Sequence, residues 1–97
     1  MKYTLIIKEE ADLDITDAWM WYEERKVGLG NELIQELEDY FSILEVDPHV
    51  CQVRYGNYRL FPLKRFPYVI VYEIEKKEVI VYAIFHTSKD PKKRHEE

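Results

Sequence analysis

The chain has 97 residues, of which 46% are hydrophobic and 34% are charged, and its formal net charge is −5. A chain of this length forms one domain with a single core and does not depend on a metal or a disulfide for folding. Its one cysteine, Cys51, excludes an internal disulfide and a zinc site built from several cysteines. We therefore expect a single domain over residues 1–97 that holds no metal and no cofactor.

The charges are distributed unevenly along the chain. Residues 9–47 carry 13 acidic residues and two basic ones, whereas residues 48–72 carry four basic residues and no acidic one. An asymmetry of this kind indicates an anionic partner for the basic half.

The first predicted elements are a strand and two helices. Residues 3–8 are rich in apolar residues and predict a strand, but this run is too short for a signal peptide or a membrane span, so we expect a cytoplasmic protein without a membrane partner. Apolar residues then recur at the spacing of one helical face, first at Ala11, Ile15, Ala18, Trp19 and Tyr22 and again at Leu33, Leu37, Tyr40, Phe41 and Leu44. Gly28 and Gly30 predict the break between the helices, and Pro48 predicts the end of the second.

Beyond Pro48 the pattern changes to short strand-like runs, near residues 53–55 and at 59–63, 68–74 and 79–86. The short connections predict an antiparallel meander, in which Pro62 should lie at an edge or a bulge because it cannot donate to a ladder. The expected fold class is α+β, in the order β-α-α followed by three or four strands. A helical hairpin should cover one face of a twisted, mainly antiparallel sheet and leave the other face for function or a partner.

Several stretches resemble the RelE/ParE toxin superfamily. The segment ADLDITDAWMWYEERKVGLGNEL at 11–33 resembles the first helix and helical turn of that family, and Tyr58-Arg59, FPYVIVYEI at 66–74 and IFHTSKDP at 84–91 extend the resemblance in the same order. It covers almost the whole chain, and the β-α-α-β-β-β order is the fold of that family. The FPY and H..KDP patterns favour the ParE-like branch.

The resemblance implies a toxin of a bacterial type II toxin–antitoxin system, of the kind linked to growth arrest and plasmid stabilization, which is held inactive in an oligomer with its cognate antitoxin. ParE-like members block DNA gyrase, and RelE-like members cut mRNA on the ribosome. We expect a ParE-like toxin that acts on DNA gyrase or in a weakened form. The alternatives are a RelE-like ribosome-dependent mRNA endonuclease and an inactive module that only binds antitoxin, so whether the chain is an enzyme stays open.

RNA cleavage of this type requires a group that deprotonates the attacking 2′-OH, a group that protonates the leaving oxygen, and cations that hold the phosphate. The candidates for catalysis are Arg59, Arg65 and His86. The candidates for binding phosphate or a partner are Arg54, Lys64, Tyr68, Lys89 and Arg94. Relatives often carry Arg where Lys89 stands and are usually basic proteins, and both departures count against cleavage.

Each candidate also has a structural interpretation. Arg59 can pair with a carboxylate of the helices, Lys64 and Arg65 can be solvated loop charges, and His86 can be a hydrogen-bonded structural histidine. Bases could stack on Tyr58, Tyr68 and Tyr72 if these rings share one exposed face. Of the two tryptophans, Trp19 is expected on the core face, and Trp21, on the other side of the helix, is a candidate for contact with a partner.

Overall fold

The computed structural model describes residues 2–87, which form two helices and one five-stranded sheet. In chain order the elements are β1 (Thr4–Ile7), α1 (Glu9–Arg25), α2 (Leu29–Val46), a short 3-10 helix (Pro48–Val50), β2 (Val53–Tyr55), β3 (Tyr58–Pro62), β4 (Tyr68–Glu75) and β5 (Glu78–His86). The predicted α+β fold class is confirmed, with four strands after the helices. None of the helices in the described residues is long and apolar enough to cross a membrane.

The strand order across the sheet is β1-β5-β4-β3-β2. Strands β2 to β5 pair antiparallel as a meander, whereas β1 runs parallel to β5, with Thr4 opposite Glu78 and Ile7 opposite Val81. A parallel pair needs a long crossover connection, and here the helical hairpin and the meander together provide it. The first strand therefore lies at one edge of the sheet, beside the last one.

Both helices cover the same face of the sheet, and the core lies between them and the strands. Its fully buried members include Leu33, Leu37 and Leu44 of α2, and Ile70 and Tyr72 of β4. The helical spacing of the leucines accounts for the choice of buried face, and burying each one stabilises the fold by about 1.5–3 kcal/mol.

The turn between the helices is held by one carboxylate. Glu23 accepts hydrogen bonds from the backbone N–H groups of Gly28 at 3.2 Å and Gly30 at 2.9 Å, which satisfies donors at the start of α2 that have no partner within the helix. Trp19 was expected on the core face, but it packs against this turn, where its indole N–H donates to Asn31 at 2.9 Å. The reason is the close approach of α2 at Gly30, which brings the two helices together beside Trp19.

A β-bulge in β5 changes which side chains face the helices. Tyr72 lies opposite Val81 and Val71 lies opposite Ala83, so Tyr82 is the extra residue in β5. Val81 faces the core before the bulge, and Ile84 and His86 take the helix-facing positions after it. Without the extra residue, His86 would point to the opposite face.

Pro62 lies at an edge, as predicted. It is the last residue of β3, and β2 pairs only with the start of that strand, at Arg59 and Tyr58. The backbone N–H of the next residue, Leu63, donates to the carbonyl of Tyr68 in β4. Because successive backbone nitrogens of a strand point to opposite sides, the nitrogen of Pro62 points away from β4. Since no strand within residues 2–87 pairs with Pro62 on that side, its ring costs the described sheet no hydrogen bond.

Replacing Gly30 with alanine should destabilise the protein. A Cβ at this position would lie 2.6 Å from the backbone oxygen of Trp19, and a backbone atom cannot move aside as a flexible side chain can. We expect the free energy of unfolding to fall by about 1–3 kcal/mol, although alanine favours helix more than glycine does. Urea denaturation measures this value.

Ser42→Ala, at an exposed position of α2, is the control and should change the free energy of unfolding by less than about 0.5 kcal/mol. A Gly30→Ala variant as stable as the wild type would contradict the close packing of the helices at this turn.

Candidate functional site

Arg59 lies on the helix-facing side of the sheet, opposite Tyr72 of β4. Its guanidinium donates a hydrogen bond to the backbone carbonyl of Cys51, and the buried hydroxyl of Tyr72 donates to the carbonyl of Pro48 at 2.7 Å. Burial raises the pKa of Tyr72, so this hydroxyl keeps its proton at physiological pH. The two side chains hold residues 48–51 against the sheet, and in the described part of the chain Arg59 bonds to a carbonyl and not to a carboxylate of the helices.

Arg65 and Lys64 lie in the loop between β3 and β4, and this loop is bound to α2. The carboxylate of Glu36 accepts hydrogen bonds from the backbone N–H groups of three consecutive residues, Lys64 at 3.2 Å, Arg65 at 2.9 Å and Phe66 at 3.2 Å. The guanidinium of Arg65 also forms an ion pair with Glu32, one turn earlier on the same helix. The charge of Arg65 is therefore balanced by α2.

An open cleft of about 280 Å³ lies beside this loop, lined by Glu32, Gln35, Glu36, Asp39 and Arg65. Three of the five lining residues are acidic. The field in the cleft therefore disfavours a phosphate, although the cleft contains Arg65, one of the candidates for catalysis.

His86 lies at the end of β5, where it contacts a cluster of aromatic rings. Its ring centre is 4.9 Å from that of Tyr68, which in turn lies 6.3 Å from the ring of Tyr22. Burial raises the pKa of Tyr68 to about 12. Nearby, Asp14 of α1 accepts a hydrogen bond from the N–H of Ile84 at 3.0 Å, beyond the point where β1 stops pairing with β5. Tyr68 is thus a buried side chain and not an exposed binding residue.

The three tyrosines considered for stacking do not share a face. Tyr68 and Tyr72 face the helices and are buried, whereas Tyr58 lies on the opposite side of the sheet, with its ring centre 5.2 Å from that of Tyr82. The Tyr82 hydroxyl donates to Glu73 at 2.8 Å, and this hydrogen bond, with some desolvation, raises the pKa of Tyr82 to about 12.

The remaining candidates are placed as follows. Arg54 is exposed on β2, at the edge of the sheet. Lys89 and Arg94 lie outside the described residues. Trp21 is half exposed, as expected for contact with a partner, and the guanidinium of Arg25 stacks 3.4 Å from the centre of its ring.

The carboxylates that bind backbone N–H groups were not predicted from the sequence. Glu23, Glu36 and Asp14 all have this role, yet Asp14 and Glu36 were interpreted, with the other carboxylates of the helices, as solvated charges. The sequence feature that pointed to them was the lack of acidic residues at 48–72. A segment without carboxylates of its own can bind the carboxylates of another element without repulsion. The catalytic roles of Arg59, Arg65 and His86 remain predictions.

The fold is that of known toxins. The structure is similar to a chain of the chromosomal ParDE TA system from P. aeruginosa, with a TM-score of 0.79 and 14% identity over 90% of this chain and 98% of that one. It is similar to the isolated E. coli RelE toxin, with a TM-score of 0.64 and 20% identity over 97% and 94%. It is also similar to a chain of the archaeal RelE-RelB complex from Pyrococcus horikoshii, with a TM-score of 0.59 and 12% identity over 93% and 100%. At these identities the likeness shows the fold alone.

The family follows from the sequence. Residues 5–91 match the family described as the ParE toxin of the type II toxin-antitoxin system parDE. The chain therefore belongs to the ParE toxin family, the ParE-like branch of the RelE/ParE superfamily. No curated protein matches it.

Replacing Glu36 with glutamine should release the loop between β3 and β4. Glutamine has one acceptor oxygen in place of two and no charge, so the three N–H donors of residues 64–66 lose a charge-assisted acceptor. We expect the free energy of unfolding to fall by about 1.5–3 kcal/mol in urea denaturation. Glu38→Gln, at an exposed position of the same helix, should change it by less than about 0.5 kcal/mol. Equal effects of the two substitutions would contradict the role of Glu36.

The protein should lose stability between pH 10 and pH 12. Tyr68 and Tyr82 have a pKa of about 12 in the folded state, against an ordinary value of 10.0. A pKa that folding raises contributes stability that is fully present below the unfolded pKa and is lost as the pH rises through the folded pKa. Denaturant midpoints should therefore fall across this interval.

Tyr68→Phe should make the fall in the midpoint shallower, because the hydroxyl that titrates differently in the two states is gone. Tyr55→Phe, at an exposed position of β2, should leave the slope unchanged. Ionisation followed by absorbance near 295 nm gives an independent measurement. A Tyr68→Phe variant with the wild-type slope would show that burial does not hold this proton.

Proposed function

We propose that this ParE-family toxin arrests growth by binding DNA gyrase, that it does not cleave RNA, and that a cognate antitoxin neutralises it in the cytoplasm. The observation that carries the proposal is the use of the cations in structural contacts. Arg59 donates to the carbonyl of Cys51 on the helix-facing side of the sheet, and Arg65 forms an ion pair with Glu32 of α2. Inhibition by binding needs a complementary surface and does not need a set of groups for proton transfer.

The spacing of the candidate residues also supports binding over cleavage. Arg59 lies opposite Tyr72, and His86 lies opposite Tyr68, so the two positions are four residues apart along β4. That separation is about 13 Å. A general acid or base must come within hydrogen-bond reach of the proton it moves, while the cation contacts the same phosphate. Arg59 would have to leave its carbonyl partner to join His86 at one phosphate.

The partner is proposed from the family. Two of the similar structures are named as the ParDE TA system and the RelE-RelB complex, and in each the name pairs a toxin with a second protein. A toxin of this family that is expressed without its antitoxin should be harmful to the host cell. The adjacent reading frame is therefore expected to encode a short antitoxin.

Expression of the wild-type chain in bacteria tests the proposal. We expect growth arrest, relief of the arrest by co-expression of the adjacent gene product, loss of gyrase supercoiling in vitro, and intact mRNA. Cuts in mRNA that require ribosomes would favour the RelE-like alternative. The absence of arrest would favour the inactive module.

The His86→Ala variant separates the two active mechanisms. A residue that acts as a general acid or base contributes about 10²–10⁴-fold to rate, so a nuclease that used His86 would lose RNA cleavage by about that factor. A toxin that binds gyrase should keep its supercoiling inhibition within about threefold. His49→Ala, at an exposed position of the 3-10 helix, is the control. Thermal denaturation of both variants shows whether any loss of activity comes from unfolding.

A further inference from the structure

One side of α1 carries apolar side chains that the core does not use. Leu13 is 58% exposed and Met20 and Trp21 are each 48% exposed, whereas Ala11 and Ala18 of the same helix are buried. Because each residue of a helix turns by about 100°, Leu13 and Met20 point away from the buried alanines, and Trp21 lies beside them. We call these three residues, which run along the outside of α1, the α1 strip.

The side chain of Trp21 is held in place by its neighbours on the helix. The guanidinium of Arg25 stacks 3.4 Å from the centre of the indole ring and also donates to the carbonyl of Trp21 at 2.9 Å. The ring of Tyr22 packs edge-on against the indole, with the ring centres 4.9 Å apart. A side chain that is already ordered loses little conformational entropy when a partner covers it. Tryptophan is also one of the residues that contribute most to binding at protein interfaces.

The charges along the α1 strip are acidic. Glu10, Asp17 and Glu24 are exposed and follow one another at intervals of seven residues, so they lie on the same side of the helix as the strip. None of the three forms an ion pair with a base within residues 2–87. The one base of α1 is Arg25, and its guanidinium is stacked on Trp21.

The stability of the helix does not account for all of these carboxylates. Glu10 lies in the first turn of α1, where a negative charge is favourable to the helix dipole. Asp17 lies beyond that turn, and Glu24 lies in the last turn, where a negative charge is unfavourable. The strip therefore combines apolar side chains with carboxylates that have no structural role in α1, which is the composition of a surface for a basic partner.

We propose that the α1 strip is the surface by which the toxin binds DNA gyrase. The inference rests on the proposed function, because it names the contact through which the chain inhibits that enzyme. Gyrase acts on DNA and therefore carries surfaces rich in Lys and Arg that hold phosphates. The carboxylates along α1 complement such a surface, and Trp21 is the apolar anchor of the contact.

The same charges disfavour other occupants of the strip. A nucleic acid would bring its phosphates to the carboxylates of Glu10, Asp17 and Glu24. In a symmetric dimer the same patch of both copies meets itself, so the carboxylates of one copy would face those of the other. A protein surface that carries bases beside an apolar recess fits both kinds of side chain on the strip.

The Trp21→Ala variant tests the anchor. Surface plasmon resonance with purified gyrase gives the dissociation constant of the full-length chain, and a supercoiling assay gives the concentration that halves gyrase activity. We expect both values to rise at least about tenfold, because the variant removes the ordered ring at the centre of the contact. Tyr55→Ala removes a ring that is 66% exposed on β2, and it should leave both values within about twofold of the wild type.

The Asp17→Lys/Glu24→Lys variant tests the charges and does not touch the ring. The dissociation constant for gyrase should rise at least about fivefold at low salt, and most of the difference should be lost at high salt. Glu38→Lys/Glu75→Lys, at exposed positions of α2 and β4, gives the same change in net charge and should stay within about twofold of the wild type. Circular dichroism and thermal denaturation of each variant confirm that it is folded.

Three results would overturn the inference and leave the proposed function intact. The first is wild-type affinity for gyrase in both the Trp21→Ala and the Asp17→Lys/Glu24→Lys variants. The second is a loss in the control variants as large as that in the strip variants. The third is a Trp21→Ala variant that still inhibits gyrase but no longer binds the antitoxin or a second copy of the chain, because the strip would then belong to that contact. If the wild-type chain neither binds nor inhibits gyrase, the proposed function fails together with the inference.

Discussion

The binding of the loop at residues 64–66 by the carboxylate of Glu36 determines the arrangement of one end of the molecule. Three consecutive backbone N–H groups point at one side chain of α2, and the loop cannot be packed against the helix unless these donors have an acceptor. Phe66 and the start of β4 follow from the placement of the loop, and the rings of Tyr22, Tyr68 and His86 are positioned in turn by that strand. The absence of acidic residues at 48–72 has a structural reason here. A carboxylate in this loop would lie beside Glu32 and Glu36 and would repel the groups that hold it.

The helices and strands could be predicted because burial leaves a periodic pattern in the sequence, and that pattern is local. The spacing of Leu33, Leu37 and Leu44 shows which face of α2 is buried, even when the elements that cover this face are not known. The contact of Glu36 with residues 64–66 spans about 30 positions and leaves no such pattern. The bulge at Tyr82 could not be predicted either. The residues of β5 are apolar before and after Tyr82, so the change of face does not alter the hydrophobic pattern of the sequence.

The candidate site was harder to predict, because charges that are neighbours in sequence need not share a surface. Tyr58 and Arg59 are consecutive in β3, so strand geometry sends them to opposite faces of the sheet. Arg65 is close to Arg59 along the chain, but α2 supplies the carboxylate that pairs with it. The net charge of a segment therefore says little about the potential at its surface. The surface potential depends on what the other elements bring into contact with the segment, and this contribution is set only by the tertiary fold.

The likeness to the ParDE and RelE chains at 14% and 20% identity shows how little of the sequence this fold requires. An apolar core with the right periodicity is sufficient to define the helical hairpin and the sheet, and the surface charges are then free to differ between relatives. For this reason the fold cannot decide between a gyrase inhibitor and a nuclease. That decision depends on which side chains are free to act at a surface. In this chain Arg59 and Arg65 bind groups of the protein itself. Guanidinium groups that are already bound within the protein are poorly placed for the chemistry of a phosphate, because each would first have to leave its partner.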